Sequence, residues 1–239
     1  MRTVVSLTLI VIVAIGVIVS LSQVPVGAEA ARQEGRLDQD GVNFGRYYNS
    51  RAVEETGATN VVASVVVSYR GLDTLGEVAV LFIAALGVVT LLGTKQERKA
   101  KREVEQASLI VFTGCRFLFP LILLFATYIF AHGHLTPGGG FQGGAVTASG
   151  FVLIYLGCRG RSVGPKQLSA TESLSGLVFV MIGLVGLALG GSFLLNFLPR
   201  GTTYALFSAG VIPIIYVAIG LKVSSELGSI VGALAGEGE

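Results

Sequence analysis

Residues 133–144 read GHLTPGGGFQGG and join two apolar stretches of the chain. These twelve residues hold six glycines and one proline. In a helix interior, a glycine costs about 1 kcal/mol relative to alanine and a proline costs about 3 kcal/mol. We therefore expect a compensating role for this stretch: close helix approach, a helix start directed at an ion or a partner, or a hinge.

The composition around this stretch is that of a membrane protein. The chain has 239 residues, of which 52% are hydrophobic and 13% are charged, and its mean hydropathy is +0.74. A soluble domain carries about 25% charged residues, and a helix needs about 20 apolar residues to cross a bilayer. Five runs are that long, and a sixth is glycine-rich but uncharged; we therefore predict an all-α integral membrane protein with about six transmembrane helices, at 3–24, 72–93, 109–131, 138–157, 174–198 and 203–222.

Basic residues set the predicted orientation. They concentrate in the connecting segments 94–108 and 159–171, which the positive-inside rule places in the cytoplasm. This predicts a multi-pass protein of the cytoplasmic (inner) membrane with both termini in the cytoplasm. The charged linker 94–108 also divides the chain into a two-helix module, 1–93, and a four-helix module, 109–239.

The N-terminal part of the chain contains two segments that need a separate interpretation. The first apolar run is followed by Ala28-Glu29-Ala30, the pattern of a signal-peptide cleavage site, but its length favours a retained helix. Residues 60–69 are apolar, yet ten helical residues reach only about 15 Å. We predict that they form an interfacial or re-entrant piece packed against other protein, preceded by a short helix near 47–56.

An acidic pair marks the entry to the second run. Asp73 and Glu77 are four residues apart and share one helix face. Glu77 lies inside the predicted span, where a carboxylate is a candidate for an ion path. Thr74 and Glu77 also match a capping box, in which Glu77 would only satisfy backbone donors; the sequence leaves both interpretations open. Arg70 is the nearest counter-charge.

The glycine-rich stretch carries its own polar candidates. His134 is a candidate proton relay, because histidine titrates near neutrality. Thr136 and Pro137 are predicted as N-cap and first residue of the fourth span. Gln142 can bond to a neighbouring helix or coordinate a cation. Small residues four apart allow close helix approach, which assigns helix packing to Gly138, Gly139, Gly140, Gly143 and Gly144.

The remaining candidates suggest no bound cofactor. Lys222 and Glu226 are four apart at the end of the last predicted span, and we expect a local ion pair at the cytoplasmic boundary. Cys115 and Cys158 have no spacing that would suggest a zinc or iron–sulfur site, and we expect free thiols, no metal and no cofactor in the chain. A redox enzyme therefore has no ligand set here.

Three motifs resemble one family. GHLTPGGGFQGG, the FLFPLIL that precedes it and the GLKVSSEL at 220–227 resemble the B subunit of the Mrp (Mnh) multi-subunit sodium/proton antiporters over about residues 106–233. The same domain occurs in the sodium-translocating module of membrane-bound hydrogenases. TNVVASVVVSYRGLDTLGE at 59–77 resembles the C-terminal domain of the A subunit of these antiporters over about 3–93, with 25–57 poorly matched.

The resemblance implies a non-catalytic subunit of a large membrane complex related to complex I. It implies sodium ions and protons as the transported species. It implies as partners other antiporter-module subunits (A/D-like, C-like and E/F/G-like) in the lipid bilayer, and a hydrogenase or other redox arm in some complexes, but no nucleic acid. No lysine is expected inside a span, and Glu77 is the one candidate for a buried carboxylate, so this chain is not expected to hold a chain of proton carriers across the membrane by itself.

On this interpretation the ion path divides into two groups. Asp73, Thr74 and Glu77 supply oxygens or charge, and His134, Thr136, Pro137 and Gln142 frame the break before the fourth span. Two other functions remain compatible with the sequence: a packing scaffold without an ion path, and a small transporter that works alone.

Overall fold

The structure, a computed structural model, describes residues 11, 12, 15, 16, 18, 19, 44–96, 108–158 and 164–235. Most of the first predicted span, the choice between a retained helix and a cleaved signal, and most of the predicted linker fall outside them. Within the described residues the secondary structure is helical, with no strand. By its contacts the chain divides into Met1–Tyr47 and Tyr48–Glu239, and the second unit carries the features described below.

The helices follow one another along the chain. They are α1 (Phe44–Thr56), α2 (Val61–Ala63), which continues as a π-helix (Ser64–Tyr69), α3 (Gly71–Gln96), α4 (Leu109–His132), α5 (Gly140–Gly157), α6 (Pro165–Gly190) and α7 (Ile212–Ala235). The predicted short helix near 47–56 is confirmed by α1. The predicted segment near 60–70, too short to span, is confirmed by α2 and its π-helical continuation.

Four helices in the described part of the chain are long and apolar enough to cross a membrane: Gly71–Leu92, Leu109–His132, Pro165–Gly190 and Ile212–Leu234. The prediction of an all-α, multi-pass membrane protein agrees with these spans. α5 has 18 residues and packs against α4 and α7.

α7 is the central helix. About 61% of its span is buried, against 11% for α3 and for α4 and 22% for α6. α3, α4, α5 and α6 all pack against it. The apolar outer faces of α3 and α4 are therefore left to lipid or to neighbouring membrane helices.

The predicted bounds of the last two spans are wrong. α6 begins at Pro165, a residue suited to the first helical turn, and ends at Gly190, followed by the C-cap residue Gly191 with φ 75°. It therefore includes Lys166 and Glu172, which were predicted in a connecting segment or at its end. α7 extends to Ala235, not to 222.

One end of the helix bundle, here called the junction end, is where α3, α5 and α7 begin and α4 and α6 end. The loop between α6 and α7 lies there. The Asn196 side-chain amide donates to the Thr56 and Ala209 carbonyls at 3.2 and 3.1 Å, and its Oδ1 accepts from the Val211 amide at 3.0 Å. The Arg200 guanidinium donates to the Glu54 carbonyl at 2.8 Å, so this loop holds the C-terminal end of α1.

Candidate functional site

The start of the glycine-rich stretch is held by Asn60. Its Oδ1 accepts from the Val62 amide at 3.1 Å, which caps α2. Its Nδ2 donates to the Gly133 carbonyl at 2.8 Å and the Thr136 carbonyl at 3.0 Å, and its backbone amide donates to the His134 carbonyl at 3.1 Å. The Thr59 hydroxyl also donates to the Leu135 carbonyl at 2.8 Å, so two neighbouring residues of the first predicted module hold this turn of the second at the junction end.

The glycine-rich stretch forms a turn before α5 begins. The helix starts at Gly140, so the prediction of Thr136 as N-cap and Pro137 as first helical residue is wrong. The Thr136 hydroxyl instead donates to the His132 carbonyl at the end of α4, at 3.2 Å. The N-cap is Gly139 with φ 152°, a backbone conformation that residues with a side chain rarely adopt.

The glycines of α5 lie against two different helices. A β-carbon on Gly140 would lie 2.7 Å from Ile219 of α7, and one on Gly144 would lie 2.7 Å from Val223 of the same helix. The opposite neighbour is α4: a β-carbon on Gly143 would lie 2.3 Å from the Phe130 ring.

Gly138 and Gly139 precede these glycines and have different surroundings. A β-carbon on Gly138 would come no closer than 3.3 Å to its neighbours, and one on Gly139 would lie 2.9 Å from the Gln142 Oε1. Gln142, Thr136 and Pro137 are exposed in the isolated chain. Their assignment to an ion path is untested and stays a prediction.

His134 is fully buried in the turn between α4 and α5. Neither ring nitrogen makes a hydrogen bond of normal geometry to a described residue, although the Ala205 backbone lies near the ring. Burial lowers the pKa of His134 below its ordinary value of 6.5; the Ala205 backbone opposes this shift, and His132 adds to it. The ring is therefore neutral at physiological pH.

The acidic pair of α3 divides between two environments. The helix begins at Gly71, so Thr74 lies inside it and the capping interpretation is wrong. The Thr74 hydroxyl donates to the Val66 carbonyl of the π-helix. Asp73 pairs with Arg70 on the exposed surface.

Glu77 faces outward from α3. It lies about 9 Å along the helix from its start, at 1.5 Å per residue, within the apolar span Gly71–Leu92. Its side chain is exposed in the isolated chain, and no ion pair or hydrogen bond joins it to another described residue. Its assignment to an ion path stays a prediction.

The predicted pair of Lys222 and Glu226 lies within a helix that is long and apolar enough to cross a membrane. The Lys222 Nζ lies 2.6 Å from the Glu226 Oε1; the Lys222 side chain is 11% exposed and that of Glu226 is 0% exposed. Lys222 lies about 15 Å along α7, at 1.5 Å per residue, near the middle of the span Ile212–Leu234. The predicted Lys222–Glu226 ion pair is confirmed, but it lies in the middle of this apolar helix and not at its end, so the expectation of no lysine inside a span is wrong. One signal could have found the longer helix, because residues 227–235 carry no charge and can continue it.

Three residues from neighbouring helices surround this pair. The Lys222 ammonium lies 4.9 Å from the centre of the Phe82 ring of α3. A β-carbon on Gly176 of α6 would lie 3.5 Å from the Lys222 Cδ, so the lysine stem passes this glycine. Glu172, one turn before Gly176, interacts electrostatically with both Lys222 and Glu226.

The two cysteines belong to the opposite end of the bundle. Cys115 and Cys158 are both buried and unbridged. Among the described residues, no three histidine, cysteine or acidic side chains cluster closely enough to hold a metal ion.

Two known families match adjoining parts of the chain. Residues 110–229 match the domain related to the MnhB subunit of Na+/H+ antiporters. Residues 35–108 match the MbhE family, the E subunit of MBH. The charged segment 94–108 falls within the MbhE match, and the MnhB-related match begins two residues after it.

Three similar proteins extend this comparison. A probable K+/H+ antiporter A/B subunit of Rhizobium meliloti is 32% identical over 188 residues, which cover 68% of this chain and 18% of that protein. A chain of the membrane-bound sulfane sulfur reductase, an archaeal respiratory membrane complex, is 43% identical, with a TM-score of 0.72, and the match covers 98% of this chain and 97% of that one. A chain of the Mrp complex of a Dietzia species is 30% identical, with a TM-score of 0.65, and the match covers 97% of this chain and 26% of that one.

Proposed function

This chain belongs to the family of domains related to the MnhB subunit of Na+/H+ antiporters, and we propose that it works as a non-catalytic membrane subunit that contributes to the cation and proton path of a multi-subunit antiporter module. Its similarity to chains of an Mrp complex and of an archaeal respiratory complex supports membership in such an assembly. The ion path is assigned to contacts between this chain and its neighbours.

The position of Glu77 is the observation that carries the ion-path proposal. A charged side chain at the centre of a membrane helix costs about 2.5–3.5 kcal/mol when it faces lipid. Glu77 is exposed on α3 and has no counter-charge among the described residues. A neighbouring protein that covers this face would shield the carboxylate and offer the second wall of a path.

The junction end supplies the other groups of the proposal. Arg70 and Asp73 form an exposed pair at the first turn of α3, where a cation arriving from water would first meet a carboxylate. His134 is a neutral, buried ring beside the turn and can accept a proton. Thr136, Pro137 and Gln142 form the exposed rim of that turn.

The wider setting is also part of the proposal. We place the chain in the cytoplasmic membrane with both termini in the cytoplasm, and we count α5 and the first apolar run with the four spans to give about six. The partners would be A/D-like, C-like and E/F/G-like antiporter subunits and, in a redox-driven complex, a reductase or hydrogenase arm. Sodium is the proposed cation, while the K+/H+ name of one relative makes potassium the alternative to measure.

A packing scaffold without an ion path is the second candidate. The Asn60 side chain favours it, because this residue joins the A-like segment to the B-like turn through hydrogen bonds to two carbonyls. The glycines of α5 favour it also, because they bring α5 into close contact with α7.

Substitution of Glu77 distinguishes the two candidates. Glu77→Gln and Glu77→Ala are introduced into the intact complex, with Glu54→Gln, an exposed carboxylate of α1, as the matched control. If Glu77 lines the path, both variants assemble but lose sodium/proton exchange in membrane vesicles, while the control retains it. Full exchange by both variants in an assembled complex would favour the scaffold. Exchange by this chain expressed alone would instead contradict its assignment to a multi-subunit module.

A further inference from the structure

The buried charges around Lys222 are not part of the ion path described above. Glu226 is 0% exposed, and its Oε2 has no hydrogen-bond partner among the described residues. The hydroxyls of Ser224 and Ser225, which precede it on α7, both donate to the Leu221 carbonyl, at 2.9 and 2.7 Å. One carboxylate oxygen is therefore left without a donor deep in the helix bundle.

A second carboxylate makes the charge of this cluster unbalanced. Lys222 and Glu226 form the pair, and Glu172 is close enough to interact electrostatically with both. With all three groups ionised, one positive and two negative charges leave a net charge of −1 in the span. An uncompensated charge there is costly, and one added positive charge removes it.

The neighbouring helices identify the added charge as a proton. Toward α7, α3 presents the Phe82 ring to Lys222, α4 presents Phe130 against Gly220, and α5 presents Gly144 and Phe151. The described charged groups that interact with one another at this place are Lys222, Glu226 and Glu172. A metal cation would need several oxygen ligands and would be repelled by the ammonium 2.6 Å from Oε1, whereas a proton needs one oxygen.

We propose that Lys222, Glu226 and Glu172 form a proton-binding site within the membrane, in which the Lys222 ammonium alternates between the two carboxylates and the carboxylate it leaves takes up one proton. This inference rests on the proposed function and adds a second, buried element to it. The lysine stem passes Gly176, and Glu172 lies four residues before that glycine, on the same face of α6. The ammonium can therefore reach Glu172 by rotation of its own flexible stem.

The step is balanced. A proton from the aqueous phase binds to one carboxylate oxygen to give a neutral carboxyl group, and the ammonium keeps its charge in a pair with the other carboxylate. Release of the proton restores the starting state. Glu172 lies about 10 Å from the start of α6, at 1.5 Å per residue, so it is the member closer to the end opposite the junction end.

The test measures protonation directly in the intact complex. Infrared difference spectra between about pH 5 and about pH 8 report the carbonyl band of protonated carboxyl groups. Glu226→Gln, Glu172→Gln and the double variant Lys222→Gln/Glu226→Gln are compared with wild type and with the control Glu54→Gln. The double variant removes both charges of the pair on α7, so no unpaired lysine is left that could cause misfolding.

The expected result is loss of a carboxyl band in Glu226→Gln and Glu172→Gln but not in Glu54→Gln, together with a roughly tenfold or larger decrease in exchange rate. The proposal is overturned if these variants keep the wild-type band or keep wild-type exchange at every pH. The carboxyl band is measured independently of transport. A wild-type complex that shows the Glu226 band but no exchange would therefore contradict the proposed function while supporting the proton-binding site.

Discussion

Replacement of Asn60 by alanine tests how the two parts of the chain are joined. The variant removes the α2 cap and both side-chain donors to the 133–136 turn. Loss of a cap costs about 1 kcal/mol. The Gly133 carbonyl is buried, and an unsatisfied buried acceptor costs about 1–3 kcal/mol, whereas the exposed Thr136 carbonyl can bond to water.

The sum for Asn60→Ala is therefore a loss of about 2–4 kcal/mol in the free energy of unfolding. For a chain of this size, 1 kcal/mol changes the melting temperature by about 2–4 °C, so we expect a decrease of about 4–16 °C. The assay is thermal unfolding of the purified complex in detergent, followed by fluorescence.

Two matched variants locate the effect. Asn60→Ser keeps a cap acceptor but loses the amide donors, so we expect an intermediate decrease. Thr127→Ala removes an exposed hydroxyl that bonds only within its own helix, to Leu123, and should melt like wild type. The reasoning is refuted if Asn60→Ala melts within about 1 °C of wild type, or if Thr127→Ala is equally destabilised.

Two further predictions concern the same end of the molecule. Gly144→Ala places a methyl group 2.7 Å from Val223, while Gly76→Ala meets nothing within 4 Å. We expect the first variant to destabilise the complex by about 1–3 kcal/mol and the second to leave its melting temperature unchanged or raised. Equal effects of the two variants would contradict the close contact of α5 with α7. Because burial lowers the folded-state pKa of His134 below 6.5, the unfolded chain binds the proton first; stability is full above about pH 6.5 and falls as the pH drops toward the folded pKa. The melting temperature of wild type should therefore decrease more than that of His134→Asn between about pH 7.5 and about pH 5.5, and parallel curves would contradict the burial of this ring.

The sequence predicts the long helices well where their ends are chemically distinct. α3 and α4 follow the apolar runs closely, because charged residues surround them on at least one side. α6 and α7 do not, since Lys166, Glu172, Lys222 and Glu226 resemble the ends of spans when charge alone is counted. In the structure the opposite charges of Lys222 and Glu226 pair within one helix, so a helix that contains charged residues can continue through the bundle.

The candidate site shows the limit of local patterns in the same way. The small-residue spacing of 139–144 predicts close helix approach, but the partners Ile219 and Val223 are about 80 residues away in the chain and follow only from the fold. The Asn60 contacts are similarly distant: its donors meet carbonyls 73 and 76 residues later. Long-range hydrogen bonds of this kind leave no periodic signal in a sequence.

The most direct test of the central claim is sodium uptake driven by a pH gradient in vesicles that hold the intact complex, measured against sodium concentration for Glu77→Gln and Glu77→Asp. If this chain lines the cation path, Glu77→Gln lowers kcat/KM for sodium by roughly tenfold or more, while Glu77→Asp retains most of it because the carboxylate remains. Uptake within about twofold of wild type for Glu77→Gln, in a fully assembled complex, would contradict the ion-path role of this chain.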